Sequence, residues 1–214
     1  MNFKYLLLFL LLTFAQTIFS QENKFGLTIE YAPSVSRFTR GGDIEKFNFS
    51  QNAVLRVSYN TEGNINPTLG LGFLNTSGIQ FHDFSRELFQ GQIEMKSIHN
   101  YNYVYIPIGV KIDFSTFYLL PEIGFGVIVS NRIKQIKKYP IVNDERIVQV
   151  VSRDLEVFNT STIPVMLSIG KDFKLGDYSF STGVKGYYGL NQVTRDRQRN
   201  DHYFGVGLLL AINL

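Results

Sequence analysis

Taken at every second residue from Phe204, the stretch ending at Leu214 reads Phe204, Val206, Leu208, Leu210, Ile212 and Leu214. The intervening positions are Tyr203, Gly205, Gly207, Leu209, Ala211 and Asn213. One face is bulky and apolar and the other is small or mildly polar, the period-2 signature of a strand whose two faces meet different surroundings. The pattern recurs over Lys24–Ala32, Phe49–Asn60, Thr68–Phe81, Tyr101–Asp113, Phe117–Ser130, Thr162–Phe173 and Tyr178–Leu190. In Tyr101–Asp113, for example, Val104, Ile106, Ile108, Val110 and Ile112 oppose Tyr103, Tyr105, Gly109 and Lys111. In Phe117–Ser130, Phe117, Leu119, Ile123, Phe125, Val127 and Val129 oppose Glu122, Gly124, Gly126 and Ser130. The pattern thus predicts about eight strands, each near the 9–11 residues that a tilted strand needs to cross a bilayer.

In a soluble sandwich the bulky faces would lie inside, and they hold more volume than one core of this chain could enclose. Turned inside out, the bulky register faces lipid, and the small and charged register fills the interior of a closed antiparallel barrel. Connection lengths agree with an eight-stranded transmembrane up-and-down β-barrel. Thr61–Asn66, Phe114–Thr116 and Lys174–Asp177 are short, whereas Pro33–Asn48, His82–Asn100, Asn131–Ser161 and Asn191–Asp201 are long. Short periplasmic turns alternating with long outer loops leave both termini periplasmic. Aromatic girdles are expected at Phe25, Tyr59, Phe114, Phe117, Phe173 and Tyr178 on the periplasmic side, and at Tyr31, Phe49, Phe81, Tyr188 and Phe204 on the outer side. Pro107, Pro121 and Pro164 each remove a ladder donor, so bulges are expected there. In the lumen register a small polar residue such as Ser at Gly207 is expected to cost little, while Arg at the lipid-facing Leu208 is expected to cost much.

Composition changes this picture little. With 12 Tyr, 19 Phe, 18 Gly and no Trp among 214 residues, the chain favours pleated surfaces and close backbone approaches. Lys4 followed by the apolar run Tyr5 to Leu12 and then by Phe14 and Ala15 reads as a signal peptide over residues 1–20, leaving 21–214 as one barrel domain. No later stretch is apolar for the roughly 18 residues of a membrane helix. There is no Cys, which excludes a lipid anchor on cysteine and a disulfide framework. The 21 basic and 18 acidic residues, of which only Lys4 lies in the signal segment, give a mixed surface and no nucleic-acid footprint.

"YVYIPIGVKIDF", "FYLLPEIGFGVIVS", "STGVKGYYGLNQV" and the apolar terminal strand resemble the outer-membrane β-barrel domain family of Bacteroidota, which includes PorT-like proteins. The resemblance covers nearly the whole mature chain. It implies a small barrel surrounded by outer-membrane lipid and lipopolysaccharide and inserted by the barrel-assembly machinery. For the PorT-like branch it also implies an envelope protein partner in a secretion complex.

Five charges fall in the inward register: Glu30, Arg56, Lys111, Glu122 and Lys185. Charges at membrane depth are tolerated when paired or hydrated, so they are expected to form one polar network across a narrow lumen. Such a network is either an ion path or, in a barrel this small, a plug. His82, His99 and His202 stand at loop bases on the predicted outer side, and "HDFS" from His82 to Ser85 supplies the residue types of a barrel enzyme modifying lipid A; their other reading is three solvated histidines. No catalytic, metal or cofactor site is assigned. The series Arg195, Arg197, Arg199, interleaved with Asp196 and followed by Asp201, reads as a solvated loop tip, with a polyanion contact as its other reading. "LGLGF" and "GFGV" lack the Lys and Ser/Thr of a phosphate loop and read as wall glycines. Between Asn131 and Ser161, apolar and charged residues alternate around a "PIVNDE" turn. A hairpin above the membrane is expected there, with Lys134, Lys137, Tyr139, Glu145 and Arg146 as a partner-docking surface. A lipid A-modifying barrel enzyme and a soluble lipocalin-like carrier remain the alternatives to a structural or interaction role.

Overall fold

The computed structural model describes residues 24–39, 44–83, 94–139, 144–152, 159–176, 178–193 and 201–214. The predicted signal segment and the arginine series at 195–199 lie outside them. Ten strands occur in chain order: β1 (Phe25–Thr39), β2 (Ile44–Tyr59), β3 (Ile65–Asp83), β4 (Glu94–Asp113), β5 (Tyr118–Tyr139), β6 (Asp144–Ser152), β7 (Ser161–Thr162), β8 (Pro164–Leu175), β9 (Tyr178–Gly189) and β10 (His202–Asn213). No helix occurs among the described residues.

The ring runs β1-β2-β3-β4-β5-β8-β9-β10 and closes where β10 pairs with β1, every pairing antiparallel. The two-residue β7 also pairs with β5 and continues the line of β8, interrupted at Ile163 before Pro164. The protein is therefore an eight-stranded antiparallel up-and-down barrel, as the alternation predicts.

The faces are also as expected. Leu69, Leu71, Phe125, Val127, Leu208 and Leu210 are more than half exposed, while Glu30, Arg56, Tyr103, Tyr105, Glu122 and Lys185 are buried. Bulky residues outside and polar ones inside is the reverse of a lipocalin-like carrier, whose cavity needs the apolar register inward. The inner glycines have a packing reason. Tyr105 lies across Gly72 and Gly126 on the two flanking strands, Tyr118 across Gly170, Tyr187 across Gly205 and Tyr203 across Gly189. A Cβ at Gly72, Gly170, Gly189 or Gly205 would run into the ring, and one at Gly126 into the Cβ of Tyr105. These four inward tyrosines thus take the space that neighbouring glycines leave, and the glycines of "LGLGF" and "GFGV" belong to the wall.

Three expectations are corrected. First, the walls extend far above the predicted strands at the end opposite the short turns. β1 runs on to Thr39 and β2 starts at Ile44, and β3, β4 and β5 span 19, 20 and 22 residues. Much of the predicted loops Pro33–Asn48, His82–Asn100 and Asn131–Ser161 is strand. Second, pairing runs through Pro107 opposite Gly124 and Pro121 opposite Leu167 without a register shift, so the ladder forgoes one donor at each. The irregularities fall instead between Phe47 and Gln51, at Asn102/Tyr103 and at Gln135/Ile136. Third, the shift at Asn102/Tyr103 gives β5 one extra residue at Val129. Ser130, expected inward, turns outward and accepts from Asn102.

Above the ring β5 pairs with β6, from Arg132 opposite Ser152 to Tyr139 opposite Asp144. This is the hairpin expected between Asn131 and Ser161. At the other end the turns are short, and in the last of them Gly176 takes a positive φ of 61° that suits glycine.

Candidate functional site

The lumen is built in three layers, and the strand registers set each one. In the middle, Glu30 on β1, Arg56 on β2, Glu122 on β5 and Lys185 on β9 meet. Arg56 donates from Nη1 to Glu30 Oε2 at 2.6 Å and from Nη2 to Glu122 Oε1 at 2.7 Å; Lys185 Nζ reaches Glu30 Oε1 at 2.6 Å and Glu122 Oε2 at 3.1 Å. Each carboxylate receives both cations and each cation receives both carboxylates, so the ring of four is electrically neutral. All four side chains are at most 5% exposed. Closing charge on charge in this way offsets the desolvation that an isolated ion at this depth would suffer.

Lys111, the fifth predicted member, is not in this ring. It lies nearer the short-turn end and pairs with Asp172 Oδ2 at 2.6 Å and Asp113 Oδ1 at 3.3 Å, its ammonium 4.5 Å from the centre of the Tyr118 ring. Asp113 and Asp172 were absent from the sequence-derived set. Their signal was available: both continue the inward register of Lys111 and Ser168, two residues on in one case and four in the other. Asp172 also accepts from Ser181, and Asp113 from Asn66. These groups line an open cavity of about 400 Å³ at the short-turn mouth, with Glu30 and Arg56 reaching it from deeper in the lumen.

On the other side of the ionic ring the lumen is packed with rings. Tyr105 accepts from Asn52 Nδ2 at 2.7 Å, and Tyr187 shares hydrogen bonds with Ser50 at 2.8 Å and Ser34 at 3.2 Å. Tyr203 stacks on Tyr103 with centroids 5.9 Å apart and hydrogen-bonds Thr162, and Phe38 meets Tyr101 edge-on at 5.3 Å. With Val54, Leu74, Met166 and Val193 these rings form one buried cluster.

Of the three histidines, His82 and His202 stand at strand ends, as expected, and His99 does not. His99 lies inside the barrel rather than on a loop, its Nδ1 3.3 Å from the Tyr101 hydroxyl. His202 donates from Nδ1 to the Gly189 carbonyl at 2.9 Å and stacks on Tyr188. The side chain of His82 and the rest of "HDFS" lie outside the described residues. In the docking hairpin, Lys134 faces Val150, Lys137 faces Arg146 and Tyr139 faces Asp144 across the ladder, with Glu145 opposite Lys138.

The outer surface has its own boundary. Tyr31, Ala53, Phe73, Val104 and Val127 form one outward row across β1–β5, and the row above it is polar: Gln51, Asn75, Asn102 and Ser130. Tyr31 donates to Gln51 at 3.1 Å, Asn75 to Asn102 at 2.7 Å and Asn102 to Ser130 at 2.7 Å. On β3–β5 the apolar belt ends at this side-chain ladder, whereas on β1 and β2 it continues past it through Val35, Phe49 and Phe47. On β4 it covers Val104 to Ile112, a rise of roughly 21 Å at about 3.4 Å per residue and about 40° of tilt. At its lower edge Phe25 meets Tyr59 at 5.3 Å, and Phe114 stacks on Phe117 at 4.7 Å.

No family model matches the sequence, and no curated protein does. Among solved structures the chain is similar to Ail, the attachment invasion locus protein of Yersinia pestis, crystallised in complex with the heparin analogue sucrose octasulfate. That match has a TM-score of 0.45 at 10% identity and covers 89% of this chain and 99% of that one. Neisserial surface protein A has a TM-score of 0.35 at 7% identity, over 89% of this chain and 97% of that one. The outer membrane enzyme PagL gives a TM-score of 0.33 at 12% identity, over 85% and 97%.

Proposed function

We propose that the protein is a small outer-membrane β-barrel with a side-chain-filled lumen and a structural or interaction role. One observation carries this reading: an exposed apolar belt of about bilayer height surrounds an interior in which four buried charges cancel one another and a layer of packed tyrosines closes the lumen on one side of them. An exposed apolar surface of this extent requires a hydrocarbon solvent, and a closed barrel satisfies its backbone without water. In this reading residues 1–20 are a removed signal peptide, and the short turns and both termini face the periplasm. The tall walls of β1–β5 and the β5–β6 hairpin then stand outside the cell.

The plug reading of Glu30, Arg56, Glu122 and Lys185 is supported by their mutual neutralisation, since an ion path needs a charge left to interact with the ion. The barrel-enzyme reading gains nothing from His99 or His202, one packed among rings and the other bound to a carbonyl. Membership of the Bacteroidota barrel family, insertion by the barrel-assembly machinery and an accessory role in a secretion or envelope complex rest on the motif resemblance. Their docking element would be the hairpin that carries Lys134, Lys137, Tyr139, Glu145 and Arg146, because β6 pairs only with β5 among the described residues and a free strand edge accepts another strand.

The test is folding without a partner. The purified chain, diluted from urea into phosphatidylcholine vesicles, is expected to float with them and to migrate faster on a gel unheated than boiled. A chain that stays in the aqueous fraction with one mobility removes the membrane reading.

A further inference from the structure

Above the side-chain ladder, the outward register of β1–β5 changes character. Arg37 lies between the inward Ser36 and Phe38. Lys96 precedes the inward Ser97 and His99, and Arg132 and Lys134 come after the buried Asn131 in the opposite register. The ladders gather them with Lys46 into one band. Lys46 faces Ile79, Ile79 faces Ile98 and Ile98 faces Lys134, while Phe81 faces Lys96 and Asn100 faces Arg132. Arg37 adjoins the band from the β10 side, opposite Phe204.

Two of the cations are held against the wall by rings. The Arg37 guanidinium lies 5.1 Å from the Phe47 centroid and 4.8 Å from that of Phe204, and the Lys46 ammonium lies 4.8 Å from that of Phe81. A ring orients a cation without neutralising it. None of the five has a carboxylate partner among the described residues. Arg37 Nε is moreover buried with no hydrogen-bond partner. The contrast with the lumen is plain: inside, every cation of the central ring has two carboxylates; on this outer band, five cations have none among the described residues.

We infer that this band binds the phosphate groups of outer-leaflet lipid. The inference rests on reading the belt as bilayer-embedded. The band begins two rows above the Val104/Val127 row, at Arg132, and on β1 and β2 its Arg37 and Lys46 stand beside the outermost apolar residues Val35, Phe49 and Phe47, which places it at the headgroup side of a lipid whose chains cover the belt. Anionic phosphates there would complete the cations by charge-assisted hydrogen bonds, with Asn100 and Asn102 as neutral donors at the same edge.

The probe is bisphosphorylated lipid A, titrated in mixed micelles onto the purified, detergent-folded barrel, with the enzymatically dephosphorylated lipid as its control and bound lipid counted by native mass spectrometry. The parent is expected to bind the phosphorylated lipid at least tenfold more tightly, with affinity falling as salt rises. The combined variant Arg37→Gln, Lys46→Gln, Lys96→Gln, Lys134→Gln is expected to lose that preference while keeping its heat-modifiable mobility. Equal binding by parent and variant, or by the two lipids, overturns the inference. So does tighter binding of soluble heparin than of the phosphorylated lipid, which would assign the band to a sulfated polysaccharide. Should the variant not fold, the phosphate dependence of the parent decides the matter alone. A parent that does not enter vesicles fails the membrane reading itself, an outcome distinct from a folded, embedded barrel that ignores phosphate.

Discussion

Gly186 and Gly207 stand on neighbouring strands and differ in what faces them. A Cβ at Gly186 would meet nothing nearer than the Gly205 carbonyl oxygen at 4.0 Å, whereas one at Gly207 would collide with the Pro33 carbonyl oxygen. The expectation that Ser at Gly207 costs little is therefore corrected, because β1 approaches that glycine too closely for any side chain. Gly207→Ala is expected to destabilise the barrel by about 1–3 kcal/mol and Gly186→Ala to leave it nearly unchanged. Leu208→Arg, next to Gly207 on the exposed apolar face and opposite Val184, should cost about 2–4 kcal/mol in lipid. The chain has no Trp, so the folded fraction is best read as the fast-migrating gel band across a urea series in vesicles. In the ionic ring, Lys185→Met strands two buried carboxylates on Arg56 alone and is expected to cost about 3–5 kcal/mol. Adding Glu122→Gln restores neutrality and should recover roughly 1 kcal/mol or more, the coupling expected of residues in one network. A double variant weaker than the single would show that the four charges do not act as a unit.

The elements were legible where the two faces differ and illegible where they do not. Val104 to Ile112 alternates bulky with small or polar, so the strand and its facing can be read directly, and with them the inward Glu30, Arg56, Glu122 and Lys185. From Glu94 to Asn100 the sequence EMKSIHN has no such contrast, because above the belt both sides of the wall are polar, and nothing in the pattern distinguishes strand from loop. The extra residue at Val129 was hidden for another reason: one inserted position changes no composition yet reverses the facing of every later residue in the strand. The separation of Lys111 from the ring depends on depth along the lumen, which a register alone does not fix. The hairpin of β5 and β6 was legible because its charges alternate with Ile and Val. Removing Tyr139 to Arg146 shortens that hairpin but leaves the pairing of β5 with β4 up to Lys138 and with β8 intact. The deletion is expected to remain heat-modifiable and to lose any protein that copurifies through the hairpin. An unfolded deletion would show that the segment supports the barrel, and an unchanged set of copurifying proteins would remove it as a docking site.

At the scale of the whole molecule, the lumen is polar and open at the short-turn mouth, neutral in the middle and aromatic above. A blind vestibule of about 400 Å³ is not a pore. Planar-bilayer recordings of the purified barrel are expected to show no steady conductance of porin size, and a stable large open level would require the tyrosine layer to move aside. The ring itself closes between strands far apart in the chain. Thr28 on β1 donates to Asn213 on β10 across 185 positions. Joining ends that far apart in a flexible chain costs roughly 4–5 kcal/mol of entropy before the first contact forms, against about half that for a hairpin. Every other pairing in the wall is far more local, so the β1–β10 seam is the slowest step to nucleate and the last to complete. Until it does, the molecule is a curved sheet with two bare edges and an uncovered apolar face, and two such molecules that meet will pair with each other more readily than each with itself. The cell therefore has a timing problem rather than a stability problem: the chain must be held apart from its copies for the interval between its synthesis and the closing of one seam.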